Sequence, residues 1–211
     1  MSKTKIAILV VFLILLIDQV VKILIKTNMH LGESREVIGN WFMIRYIENP
    51  GMAFGLDIPG RFGKLSLSLV RLVAIIAIIW YMRTLILKNA RTMLIICVSM
   101  ILAGAIGNLL DCTFYGLIFD KGTTYDPVIK DWIGYAGLAH IDFTGYTTPF
   151  KGCVVDMLYF PIIDGTYPDW VPFKGGQSFI FFRPIFNLAD SAISVGVILI
   201  LIFQNKLFKE I

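Results

Sequence analysis

The sequence predicts a mainly α membrane protein: four transmembrane helices, an outer β region and a long outer insert, in one integral membrane domain over residues 1–211. Three observations carry this. The chain is 57% hydrophobic and only 16% charged, against about 45–50% apolar and about 25% charged in soluble domains. Four apolar stretches reach the roughly 20 residues needed to cross about 30 Å of hydrocarbon. Basic residues gather at alternate ends of these stretches. The net charge of +4 comes without a basic tract, which argues against nucleic acid as a partner. Three cysteines with no CxxC, and the isolated His30 and His140, offer no metal-ligand spacing. Neither metal nor cofactor is expected.

The first helix is expected at about 6–25. Lys3 and Lys5 precede it, as in a cleaved signal peptide. The apolar run continues past Asp18 and Lys22, however, and no small-x-small cleavage site follows, so a retained anchor is expected. Residues 37–56 are rich in β-branched and aromatic side chains, have no helical period, and are broken by Asn-Pro-Gly. One or two strands and a turn at Asn49–Gly51 are expected, with Trp41, Met43 and Ile47 on one face and Phe42, Ile44 and Tyr46 on the other. Such an apolar ribbon would rest on the bilayer or cover a substrate. The second and third helices are expected at about 65–87 and 93–110, and the fourth at about 185–207. Between the last two lies an outer insert at about 112–184; its part between Asp111 and Asp156 reads as an ordered outer loop with hairpins, rich in Gly, Thr, Tyr and Asp.

Orientation follows from the basic residues. Lys3 and Lys5, then Arg83, Lys88 and Arg91, then Lys206 and Lys209 all fall on one face if there are four crossings. That face is cytoplasmic by the positive-inside rule. Both termini are then inside, and the long connections 27–64 and 111–184 face outward.

This topology sorts the unusual polar residues by depth. Asp18 lies about twelve residues into the first helix, roughly 18 Å along its axis, in the outer half of the membrane. Lys22 is one turn on and can pair with it. Asn108 and Asp111 end the third helix, three apart on one face, and Asn187 and Asp190 open the fourth with the same spacing. Asp156 comes from the outer loop. Caps and snorkelling explain single residues of this kind, and Arg71 is read as snorkelling. They do not explain polar groups from three helices meeting at one level. Ionisable groups at membrane depth are functional candidates. Gly104 and Gly107 suit close helix packing near the same level.

Five segments in order resemble the lipoprotein signal peptidase (signal peptidase II) family: IDQVVK at 17–22, NPGMAF at 49–54, GAIGNLLD at 104–111, VVDM at 154–157 and FNLADS at 186–191. The resemblance runs from residue 17 to 191 without covering the inserts. It implies a membrane aspartyl peptidase of the bacterial cytoplasmic membrane. Such enzymes remove signal peptides from diacylglyceryl-modified prolipoproteins and are blocked by globomycin. It also implies that Asp156 and Asp190 are the catalytic pair. Asn49, Gly51, Asn108, Asp111 and Asn187 would shape the site or hold substrate, and Asp18 and Lys22 would brace it. The ribbon would be the family's β-cradle, and the chain is expected to act as a monomer. Two carboxylates in one site cannot both ionise easily, so the pair holds one proton and can activate water. The two protons belong to the pair rather than to either residue.

Two departures from the family pattern stand out. Cys112 occupies the position after Asp111 where the family has Arg, and Arg45 or Arg183 is a candidate substitute. Asp156 comes 45 positions after Asp111, where the family has a short link. Residues 159–183 form a second long stretch. Cys112 and Cys153 bracket the first insert, and a disulfide between them is expected; closing about 40 residues would stabilise by roughly 3–4 kcal/mol. Cys97 reads as a small apolar core residue.

Two other classes are weighed against a peptidase. An ion-coupled transporter needs polar residues continuing to the inner side, but the inner halves of helices two to four are almost wholly apolar. A scaffold binding a partner helix would tolerate Asp156→Asn and Asp190→Asn.

Overall fold

In a computed structural model, residues 1–51 and 61–209 are described. In chain order the elements are α1 (Lys3–Asn28), β1 (Ser34–Ile38), β2 (Phe42–Asn49), α2 (Arg61–Leu87) and α3 (Thr92–Leu110). A π-helical turn, Asp111–Tyr115, and the short α4 (Gly116–Ile118) follow. Then come β3 (Thr124–Asp126), β4 (Asp131–Ile133), β5 (Val154–Tyr159), β6 (Ile163–Thr166), β7 (Ser178–Phe181), β8 (Ile185–Phe186) and α5 (Leu188–Leu207).

Among the described residues, four helices are long and apolar enough to cross a membrane. The most enclosed of them is α3, which packs against α1, α2 and α5. The buried residues of α1 are Ala7, Asp18, Lys22 and Lys26. Its opposite face exposes Ile8, Phe12, Leu16, Val20 and Leu24, spaced by one turn. This inverts the pattern of a soluble amphipathic helix and leaves the apolar face for lipid. Between α3 and α5 the backbones nearly touch. A Cβ added at Gly104 would lie 2.2 Å from the Ala189 carbonyl oxygen, and one at Gly107 would lie 3.2 Å from Ala189 Cβ and 2.8 Å from Asp18 Oδ2 of α1.

One end of the bundle holds the first turns of α1, the α2–α3 turn and the last turn of α5. There Lys3 Nζ donates to the Asn89 carbonyl at 2.7 Å, and Ala7, Leu85, Ala90 and Leu207 share one apolar cluster. The sheet lies at the other end, in the order β1-β2-β5-β8 with antiparallel pairing throughout. Separate hairpins, β3–β4 and β6–β7, rise from the two inserts.

The expected spans lie close to the observed helices, and the differences have local causes. α5 starts at Leu188 rather than near 185 because Ile185 and Phe186 pair with β5 and Asn187 caps the helix. The third helix does not stop at Leu110 but continues through the π-helical turn into α4. The ribbon begins at Ser34, and the Asn49–Gly51 turn is present. Gly51 takes φ +105°, and its N–H donates to Asn49 Oδ1 at 2.8 Å. The end of the expected β region, 52–56, with Met52–Phe54 of the NPGMAF segment, lies outside the described residues.

Candidate active site

The sheet places Asp156. β5 runs between β2 and β8, and Asp156 pairs with Ile47. Two residues beyond Ile47, on the same strand face, Asn49 donates from Nδ2 to Asp156 Oδ2 at 3.1 Å. On the other side Leu158 pairs with Phe186. The chain then turns into α5, and Asn187 Nδ2 donates to Asp156 Oδ1 at 2.7 Å. Asp156 is only 1% exposed. Burial pushes its carboxyl up to about 7 and the nearby Asp190 charge adds to this, while the hydrogen bonds from Asn49 and Asn187 pull the other way.

The helix cap places Asp190. Asn187 is the N-cap of α5, its Oδ1 accepting from the Asp190 N–H at 2.9 Å. Asp190 Oδ2 accepts in return from the Asn187 N–H at 3.4 Å, which completes a capping box. Its Oδ1 accepts from Asn108 Nδ2 at 2.7 Å. Asn187 Nδ2 also donates to Asn108 Oδ1 at 3.0 Å. One buried asparagine thus bridges both aspartates and the end of α3.

Beneath these groups lies a charged brace. Lys22 Nζ contacts Asp18 at 2.9 Å, Asp111 at 2.8 Å and Asn108 Oδ1 at 3.1 Å, which uses all three of its protons. Asp18 Oδ1 accepts from the Ala189 N–H at 3.0 Å. Asp111 Oδ2 accepts from the Val155 N–H at 3.3 Å. The brace therefore fixes the first turn of α5 and the β5 backbone beside Asp156. Gln19 closes the group, donating to Asp111 Oδ1 at 2.9 Å and Asp18 Oδ2 at 3.1 Å, and Tyr115 Oη donates to Gln19 Oε1 at 3.2 Å.

All the sequence-predicted polar residues, Asn49, Asn108, Asp111, Asp156, Asn187, Asp190, Asp18 and Lys22, join this one network. Gly51 forms the turn that holds the Asn49 amide. The expected Cys112–Cys153 disulfide is not formed, since both are buried free thiols. Each faces a different cation of α2: Arg71 Nη1 lies 3.1 Å from Cys112 Sγ, and Lys64 Nζ lies 3.1 Å from Cys153 Sγ. Arg71 therefore turns toward the insert's base rather than simply snorkelling. Arg45 is exposed, against the Tyr159 ring, and Arg183 is exposed as well. Residue-type reasoning missed Gln19, Lys26, Glu48 and Lys64. Gln19 sits inside the IDQVVK segment, and Lys26 continues the Asp18–Lys22 stripe by one more turn. Glu48 and Lys64 carried no such signal.

Comparison with known proteins gives the family. The family profile for signal peptidase (SPase) II matches residues 10–206. A lipoprotein signal peptidase of Porphyromonas gingivalis is 44% identical over 199 residues, covering 94% of this chain and 82% of that one. One of Amoebophilus asiaticus is 36% identical over 204 residues, covering 95% and 78%. A bacterial membrane enzyme solved by the in meso method at 1.9 Å superposes with a TM-score of 0.57 at 26% identity, covering 95% of this chain and 92% of that one. With two aspartates bridged at the end of a four-helix membrane bundle, and a match across nearly the whole length, the chain belongs to the signal peptidase II family of membrane aspartic peptidases.

Proposed function

We propose that this protein cleaves signal peptides from diacylglyceryl-modified prolipoproteins, with Asp156 and Asp190 as the pair that activates water. The observation that carries the reading is the Asn187 bridge. It donates to Asp156 Oδ1 at 2.7 Å and accepts from the Asp190 N–H at 2.9 Å. One residue thereby holds both aspartates, the Asp156 carboxylate through its side chain and the Asp190 carboxylate through its backbone N–H at 3.4 Å.

The chemistry follows from the pair. With one shared proton, the ionised carboxylate takes a proton from water while the protonated one polarises the scissile carbonyl. Hydroxide adds to the carbonyl carbon, the tetrahedral intermediate collapses, and the amide nitrogen leaves with a proton from the pair. An Asp156 carboxyl pushed up to about 7 keeps that proton available near neutral pH. Asn49, Asn108 and Asn187 donate amide protons to the two carboxylates and orient them. Lys22, Asp18 and Asp111 hold that frame from below.

The enzyme sits in the bacterial cytoplasmic membrane with both termini inside and the sheet outside, as a monomer. The substrate's diacylglyceryl group keeps the scissile bond near the outer surface, where the pair lies. The sheet would act as a cradle over it. Its aromatic row supports this: Phe42 stacks on Phe160 at 4.6 Å, and Phe160 on Phe186 at 5.7 Å. Beside it a groove of about 760 Å³ is lined by Trp41, Met43, Tyr159 and Ile162 among others. The test is cleavage of a purified diacylglyceryl-modified prolipoprotein, with and without globomycin, by wild type, Asp156→Asn and Asp190→Asn. Globomycin should block wild type, and each variant should lose about 10²–10⁴-fold in kcat. Normal cleavage by both variants would sink the assignment.

A further inference from the structure

We infer that the first insert is a clamp that positions Asn49 and Asp156, working through a buried Lys26–Glu48 pair; this rests on the catalytic reading just given. Lys26 of α1 is fully buried and forms an ion pair with Glu48 Oε1. Its ammonium also faces the rings of Phe119, Tyr135 and Tyr146 at 4.9, 5.1 and 5.3 Å. All three rings come from beyond the π-helical turn. Glu48 Oε2 accepts from the Thr123 N–H at 2.6 Å, and Oε1 accepts from Tyr46 Oη at 2.7 Å. Tyr46 Oη in turn lies 2.7 Å from Tyr135 Oη. Glu48 is thus held by α1, by its own strand and by the insert, and the next residue is Asn49.

The same segment grips the other strand. The Cys153 N–H donates to Tyr146 Oη at 3.2 Å, and Cys153 Sγ donates to the Thr123 carbonyl at 3.4 Å. Cys153 directly precedes β5, three residues before Asp156. Burial pushes the Cys153 thiol up to about 11, so it keeps the proton it donates. Thr123 therefore bonds the end of β2 through its N–H and the start of β5 through its carbonyl. Burying an ion pair costs more desolvation than an apolar pair of the same volume. That makes Lys26 and Glu48 a poor device for stability alone and suits them to fixing register.

Glu48, Lys26 and Tyr146 are positioning residues in this scheme, and the readout is Asp156. Of the charged groups facing it, Asp190 on α5 raises its pKa and Lys22 on α1 lowers it. Asp111 on the π-helical turn holds the neighbouring Val155 N–H. The Asn49 hydrogen bond favours the ionised form, so loosening it raises the upper titration of the pair and moves the alkaline limb of the kcat profile to higher pH.

The experiment uses the full-length protein in detergent or vesicles, with a diacylglyceryl-modified prolipoprotein. In Glu48→Gln, kcat should fall roughly 10- to 100-fold with KM little changed and the alkaline limb shifted up. Tyr146→Phe, which keeps the ring and loses one hydrogen bond, should give the same pattern at about 2- to 10-fold and covers the case in which Glu48→Gln does not fold. The double variant Lys26→Met with Glu48→Leu replaces the ion pair by apolar groups and should still show the lowered kcat and shifted limb. Wild-type kcat and pH profile in the double variant, or in both single variants, would overturn the clamp. If Asp156→Asn and Asp190→Asn are inactive in parallel, that result removes the clamp and leaves the catalytic reading standing; if they cleave normally, the catalytic reading itself falls.

Discussion

Asp156 is buried and lies beside Asp190, and together these push its carboxyl from an ordinary 3.8 up to about 7. A carboxyl raised on folding favours the folded state fully at low pH, and that contribution disappears as pH rises through the folded value. Thermal denaturation of the solubilised wild type should therefore give a Tm that falls between about pH 4 and 7. Asp156→Asn should flatten that slope, and an equally steep slope in the variant would count against the assignment. Most of these residues were legible in the chain because each interrupts an apolar run, where a polar atom is conspicuous. Glu48 was not: it lies in a strand with no period, where a carboxylate usually faces water. Cys112 and Cys153 misled because proximity in sequence to a common site does not orient two sulfurs. Each turned out to face a cation from α2 that only the tertiary arrangement delivers.

Among the elements, α3 and α5 carry the tightest constraint. A Cβ at Gly104 would fall 2.2 Å from the Ala189 carbonyl oxygen and 2.5 Å from Ile193 Cγ1, and a backbone atom cannot rotate away. Gly104→Ala should destabilise the protein by about 1–3 kcal/mol, read as a loss of Tm or of urea resistance, and should weaken activity by displacing Ala189 next to Asp190. The four helices were readable from length and hydropathy alone. Their ends were less so, because ends are decided by partners. Asn187 caps α5 only once Phe186 has joined β5. The π-helical turn after Leu110 likewise depends on a segment 40 residues away: the Cys112 carbonyl accepts from the Gly152 N–H at 2.9 Å, and the Gly116 carbonyl accepts from the Tyr146 and Thr147 N–H groups.

At the level of the whole molecule, Lys3, Lys5, Arg83, Lys88, Arg91, Lys206 and Lys209 flank the end of the bundle away from the sheet, and the Asp156–Asp190 network lies at the sheet end. Impermeant maleimide labelling of intact cells tests the orientation. Lys130→Cys, at an exposed turn of the first insert, should react from outside, and Ser2→Cys only after the cells are opened. The reverse pattern would invert the topology. The native cysteines are buried and give a low background.

The stripe Asp18, Lys22, Lys26 on α1 also bears on biogenesis. Charges entering a bilayer alone are expensive, and α1 precedes α2, α3 and α5 in the chain. Asp18 and Lys22 are one turn apart and pair at 2.9 Å, so the nascent helix brings its own counter-ion to the translocon. Lys26 lies at the helix's trailing edge, and its partner Glu48 emerges only about twenty residues later. Asp111 arrives with α3, where Lys22 already waits with protons to donate. The chain's order of synthesis is therefore the order in which each buried charge meets its mate. A chain begun from α3 instead would expose Asp111 to lipid with no cation yet made.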